Sequence, residues 1–171
     1  MKLVSISLLS LLLLNCSLEP DNAKYVGIYQ YIHDLESGEV SHIKLEIQNQ
    51  LIIGTYYGIS DDFDPAREAY LPGYFYTKME NLSIKNGNIS YSINLHENEI
   101  YNKEIPISYR LNDKLPVTYK KWIENSNPDK LITQNYKGEI LEDRIKLKII
   151  GEDAGIQDEL VFLKQNSKVR R

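Results

Sequence analysis

Leu82-Ser83-Ile84-Lys85-Asn86-Gly87-Asn88-Ile89-Ser90-Tyr91 reads as a β-hairpin. Asn-Gly is the strongest short hairpin signal, because a type I′ turn needs positive φ at both central residues. Symmetric closure brings Ile84 opposite Ile89 and Leu82 opposite Tyr91, so one face is apolar. The same grammar occurs twice more, with Ile47 and Ile52 around Asn49-Gln50 and Ile140 and Ile145 around Glu142-Asp143. In the first of these, Ile43, Leu45 and Ile47 face Tyr56, Gly54 and Ile52, while His42, Lys44, Glu46 and Gln48 point the other way. In the last, Tyr136, Gly138 and Ile140 face Ile149, Leu147 and Ile145, with Arg144, Lys146 and Lys148 toward water. Three registers that agree with a side-chain period of two predict six strands.

Working outward, a strand over 24–33 is expected to return through Glu36-Ser37-Gly38-Glu39. Symmetric closure there puts Val26, Ile28 and Ile32 inside and His33 opposite His42 on the solvent face. A last strand over 157–164 carries Leu160 and Phe162 on one face. Pro106, Pro116 and Pro128 limit the stretch from Glu99 to Lys130 to short or edge segments, with a strand or a helical turn near Tyr119 to Ile123. The expected fold is all-β, an antiparallel meander closing into a barrel, since closure removes exposed edges. One domain over 24–165 accounts for it, after a tether at 16–23 and before a basic tail at 166–171.

Tyr25-Val26-Gly27-Ile28-Tyr29 resembles the Gly-x-Trp opening strand of lipocalins and related calycin barrels, with Tyr29 at the tryptophan position. The resemblance implies a small, often apolar ligand inside a lipocalin-like barrel, and a closing basic residue that corresponds to Lys164. Inward bulk from Tyr56, Tyr91 and Tyr136 limits the space for such a ligand.

The N-terminus starts with a charge at Lys2, runs apolar from Leu3 to Leu14, and reaches the single cysteine at Cys16. That run is well short of the roughly 20 residues needed to cross hydrocarbon, so it reads as an export signal over 1–15. Leu13-Leu14-Asn15-Cys16 resembles the lipobox of bacterial lipoproteins. The resemblance implies a signal helix that is removed, an acylated Cys16 (palmitate among its chains), and a cell-envelope protein tethered to a membrane at the periplasmic face or cell surface. Several acyl chains anchor firmly where one does not.

Processing leaves 156 residues and moves the formal charge from −4 to −5. Charges of both signs are interspersed and no basic stripe exists, which argues against a nucleic-acid partner. No disulfide is possible in the mature chain. The 13 tyrosines, against three Phe and one Trp, suit strands with one wet face and also suit ligand surfaces.

The segment from Ile59 to Gly73 reads as a long connection, a frequent place for function. Asp61, Asp62, Asp64 and Glu68 offer hard oxygen ligands that would suit calcium, although the spacing is not that of an EF-hand. The plainer alternative is an aspartate capping a turn that starts at Pro65, with Arg67 pairing locally. Tyr56, Asp61, Asp62, Asp64, Arg67, Tyr70 and Tyr74 are the candidate ligand-binding residues around a barrel mouth. His33 and His42 form a weaker alternative, the start of a zinc or copper site that still needs a third ligand. No nucleophile elbow, phosphate loop or metalloprotease helix is present, Glu97 and Glu99 fall at a turn, and no cofactor is implied. The expectation is a non-enzyme that binds or shields a small molecule. The rival expectation is a structural or protein-interaction lipoprotein with a filled barrel, whose outer Tyr29, Tyr31 and Tyr57 contact another envelope protein or a host surface.

Overall fold

The computed structural model describes residues 20–35, 38–64, 69–122, 127–151 and 159–165, and side chains throughout these except at 20, 21, 34 and 61–72. The expected signal segment 1–15, Cys16, the first part of the expected tether, Arg67, Glu68 and the tail 166–171 lie outside the described residues. Eight strands run in chain order as β1 (Gly27–Asp34), β2 (Glu39–Gln48), β3 (Leu51–Asp64), β4 (Ala69–Lys85), β5 (Asn88–His96), β6 (Leu131–Ile140), β7 (Arg144–Ile150) and β8 (Leu160–Lys164). They form a closed antiparallel barrel in which every strand pairs with its sequence neighbours and β8 returns to β1.

The three hairpins take the registers expected of them. Ile47 pairs with Ile52, Ile84 with Ile89 and Ile140 with Ile145. Asn86 and Gly87 have φ of 52° and 76°, as a type I′ turn requires, and Asn49 and Gln50 do the same at 50° and 64°. Leu82 falls where the β4/β5 register shifts between Glu80 and Ser83, with Asn81 at φ 53°, so a bulge replaces its simple pairing with Tyr91.

The β1/β2 pair differs from expectation. Tyr29 pairs with Ile43 and Gln30 with His42, so the register is offset by three residues from the symmetric closure. An odd offset exchanges the faces of a strand. Tyr29 is therefore fully buried in the core and Ile32 is 46% exposed, the reverse of the sequence expectation for Ile28 and Ile32. A bulge between Ile32 and Asp34 and a tighter turn produce the offset. The Tyr29 hydroxyl donates to the Tyr25 carbonyl at 2.7 Å, which lets a phenol occupy the interior with its polar atom satisfied.

Short turns gather at one end of the barrel and the longer connections, among them 97–130 and 151–159, at the other. The short-turn end is closed by a 3-10 helix, Pro20–Tyr25, and by Lys164. The Lys164 ammonium donates to the Lys24 carbonyl at 2.8 Å and lies 5.5 Å from the Tyr29 ring centroid. Gly27, at φ 150°, makes room for it, because a Cβ there would stand 2.7 Å from Lys164 Cε. Lys164→Ala removes stem packing, a hydrogen bond and a cation–π contact together, and is expected to lower stability by about 2 kcal/mol. Lys164→Met is expected to recover roughly half of that by packing alone. Urea midpoints test this, and an Ala variant equal to wild type would show that Lys164 does not seal the barrel.

The interior is apolar and aromatic, built from Tyr29, Ile43, Leu45, Tyr56, Ile89, Tyr91, Tyr136, Ile140, Ile145, Leu147 and Phe162. The outer wall carries Lys44, Glu46, Lys137, Glu139, Lys146 and Lys148. This is the reverse of a transmembrane barrel, whose apolar band faces outward.

Candidate functional site

At the open end, above the packed interior, is a hollow of about 240 Å³. β3 contributes Tyr56, Ile59 and Ser60, β4 contributes Phe75, β5 contributes Ile93 and Leu95, and β6 contributes Ile132, Gln134 and Tyr136. Its floor is aromatic, with the Tyr56 ring 5.6 Å from Tyr136 and 6.0 Å from Phe75, nearly parallel to both. Among the described residues, no lining side chain carries a formal charge.

The polar atoms of the floor are linked. The Tyr136 hydroxyl donates to Gln134 Oε1 at 2.7 Å. The Tyr56 hydroxyl interacts with those of Tyr136 and the fully buried Ser41, and Ser41 Oγ is in turn 2.7 Å from His33 Nε2. Burial pushes the Tyr56 and Tyr136 phenols above their ordinary range, so both are neutral at physiological pH. The site therefore offers neutral hydrogen-bonding groups on an apolar, aromatic surface.

Of the residues singled out from sequence, Tyr56 lines this hollow. Tyr74 does not. Its backbone exchanges two 2.8 Å hydrogen bonds with Tyr101, and it lies in the outer seam with His42, Tyr57, Glu104 and Ile105. The segment from Ile59 to Gly73 is no irregular loop: β3 and β4 stay paired from Ile59↔Tyr74 out to Asp64↔Ala69. Asp61, Asp62, Asp64 and Tyr70 have their backbones in these two arms, and their side chains are outside the described residues. Alternation masked by acidic residues concealed the strands.

His33 and His42 do not face each other. Gln30 holds the position opposite His42, and His33 bonds to Ser41 toward the interior. His42 is on the outer face, 8% exposed, and burial lowers its pKa. Among the described residues no three His, Cys, Asp or Glu side chains gather as a metal site.

The described residues between β5 and β6, 97–122 and 127–130, include a strap that lies against the outer wall. Ile100 and Trp122 pack against the core near Gly73, and Tyr101 bridges Tyr74 to Lys121. The Tyr57 hydroxyl lies 2.8 Å from the Tyr109 carbonyl and 3.3 Å from that of Ile107. Tyr57 is thus buried beneath the strap, and Tyr29 is buried in the barrel, so neither belongs to an outer contact surface. Glu97 accepts from Lys130 Nζ and the Asn127 amide, both at 2.8 Å, and these contacts hold its carboxyl below the usual range. Glu99 accepts from the His96 amide at 3.0 Å. These carboxylates pin the ends of the strap.

A larger hollow, about 450 Å³, lies outside the barrel between the strap and the β2/β3 wall, near Lys44, Glu46, Arg110 and Asp113. It is an open polar groove in which Lys44 and Glu46 already pair at 3.1 Å. The inner hollow is smaller, but it lies inside the mouth of the barrel, where aliphatic and aromatic side chains stand beside a few convergent polar groups, as in a ligand site.

Compared with protein-family models, curated proteins and solved structures, the chain matches none.

Proposed function

We propose that this chain is an exported lipoprotein of a bacterial cell envelope, anchored through an acylated Cys16, whose barrel binds or shields a small molecule. The observation that carries the binding role is the inner hollow, an aromatic cup with a hydrogen-bonding amide at the open end of a closed barrel. The lipobox-like Leu13-Leu14-Asn15-Cys16 after an apolar run supports the anchor. We read the role as carriage, since no described lining side chain of the cup is charged and Glu97 and Glu99 serve the strap.

At about 240 Å³ the hollow is slightly below the usual size of drug-like pockets, so the ligand is small or inserts one end. Native mass spectrometry of the mature chain with Cys16→Ser, purified from its own organism without refolding, tests the reading. An extra mass that is lost on denaturation is the expected result. A bare protein mass would count against carriage and favour a second reading, a protein-interaction lipoprotein. One observation supports that alternative: below the Tyr56 and Tyr136 rings the barrel is filled by side chains such as Tyr29, Phe162, Leu45 and Leu147.

A further inference from the structure

We propose that the inner hollow selects an uncharged molecule with a flat apolar body and a hydrogen-bond acceptor, and that the Gln134 side-chain amide reads the acceptor. This rests on the ligand-carrying reading above and names the ligand class. Tyr136 has a single hydroxyl hydrogen and gives it to Gln134 Oε1 at 2.7 Å. A primary amide has an acceptor oxygen at one end and two donor hydrogens at the other, so occupying the oxygen turns Nε2 toward the remaining space. That space is the hollow, which Gln134 lines, and among the described residues Nε2 has no protein partner. The amide thus presents a donor whose orientation is fixed from behind by a buried phenol.

The rest of the lining sets the body of the ligand. Tyr56 and Phe75 lie nearly parallel at 21°, with Ile93, Leu95 and Ile132 completing an apolar wall. A planar ring fits such a wall by offset stacking. An ion would lose hydration and meet no counter-charge among the described lining residues, so charged molecules are disfavoured. A molecule whose polar group only donates has nothing to offer the amide hydrogens and leaves them unpaired.

Acetophenone and α-methylstyrene test this, because they have the same shape and differ in a carbonyl oxygen replaced by a methylene. Titration of the mature chain carrying Cys16→Ser, followed by proton–nitrogen correlation NMR, gives both affinities and the Gln134 amide signals. Acetophenone is expected to bind about 3- to 10-fold tighter and to shift the Gln134 NH₂ pair. Gln134→Met should abolish the preference and leave the hydrocarbon's affinity unchanged. Tyr136→Phe, a milder change, frees Oε1 and should narrow the preference. Equal affinities in the wild type would overturn the role of Gln134 and leave the ligand-carrying reading standing. Failure of both probes to bind or to shift any lining residue would overturn the hollow as a ligand site, and this proposal with it.

Discussion

Above about pH 10 the barrel is expected to lose stability steeply and to unfold cooperatively before its interior phenols ionise. Burial pushes Tyr29 and Tyr57 from the ordinary 10.0 up to about 12, and it raises Tyr56, Tyr91 and Tyr136 as well. A phenol whose pKa is raised on folding stays protonated in the native state while the unfolded chain ionises. Its contribution is therefore complete below pH 10 and is lost as pH rises toward the folded value. At no more than about 1.4 kcal/mol per unit, and less where solvent screens the phenol, Tyr29 and Tyr57 together remove roughly 2–4 kcal/mol between pH 10 and 12. Three further buried phenols shift the same way, and a domain's whole stability is about 5–15 kcal/mol. Tyr91 sharpens the effect, since its buried hydroxyl has no partner among the described residues and a phenolate there would be uncompensated.

Phenolate absorbance followed beside far-ultraviolet circular dichroism checks this. Exposed tyrosines should titrate first, and the buried group should appear in one step together with loss of the β signal. A single smooth titration of all 13 tyrosines near pH 10, with the barrel intact, would mean that these rings are not buried. Tyr57 differs from the others, being sealed by the strap and not by the barrel. If the strap lifts separately, one phenol titrates ahead of the main step, and Tyr57→Phe removes it.

The parts of this structure that were legible in the sequence are those fixed locally. Asn86-Gly87 and the isoleucine pairs set turn and register at once, and Tyr56, Tyr91 and Tyr136 point inward as the alternation requires. The β1/β2 register was not legible, because its turn lacks a two-residue signature and a bulge near His33 changes the count by one. Sequence pattern favoured Ile28 and Ile32 over tyrosines for the interior. The fold instead buries Tyr29, whose hydroxyl finds a carbonyl four residues earlier.

Covered outer residues are illegible for a different reason. Tyr57 and His42 alternate outward as expected, but they are covered by Tyr109 and Ile105, which are far away in sequence. Gln134 left one readable sign, a polar residue on the same strand face as Ile132 and Tyr136. What gives it meaning is the partner behind it and the hollow in front, and both depend on the closed barrel.

Gly138→Ala is expected to be the most damaging single-methyl change in the barrel, costing about 3–5 kcal/mol, and Gly138→Val should prevent recovery of folded protein. Gly138 sits in β6 between Ile89 on β5 and Leu147 on β7, at an inward position where a side chain would normally stand. A Cβ there would overlap the Lys146 carbonyl oxygen and crowd Leu147 Cα. Backbone cannot rotate aside as a side chain can, so accommodation means separating β6 from β7 and weakening their ladder. Gly54→Ala is the control, because its Cβ would meet only the flexible side chain of Met79 and should cost about 1 kcal/mol. Urea unfolding of the two variants measures the contrast, and equal midpoints would show that β6 and β7 have slack at Gly138. The consequence reaches the candidate site, since Gln134 and Tyr136 lie on the same strand. A folded Gly138→Ala protein with β6 displaced should move the Gln134 amide resonances, whereas Gly54→Ala should leave them in place.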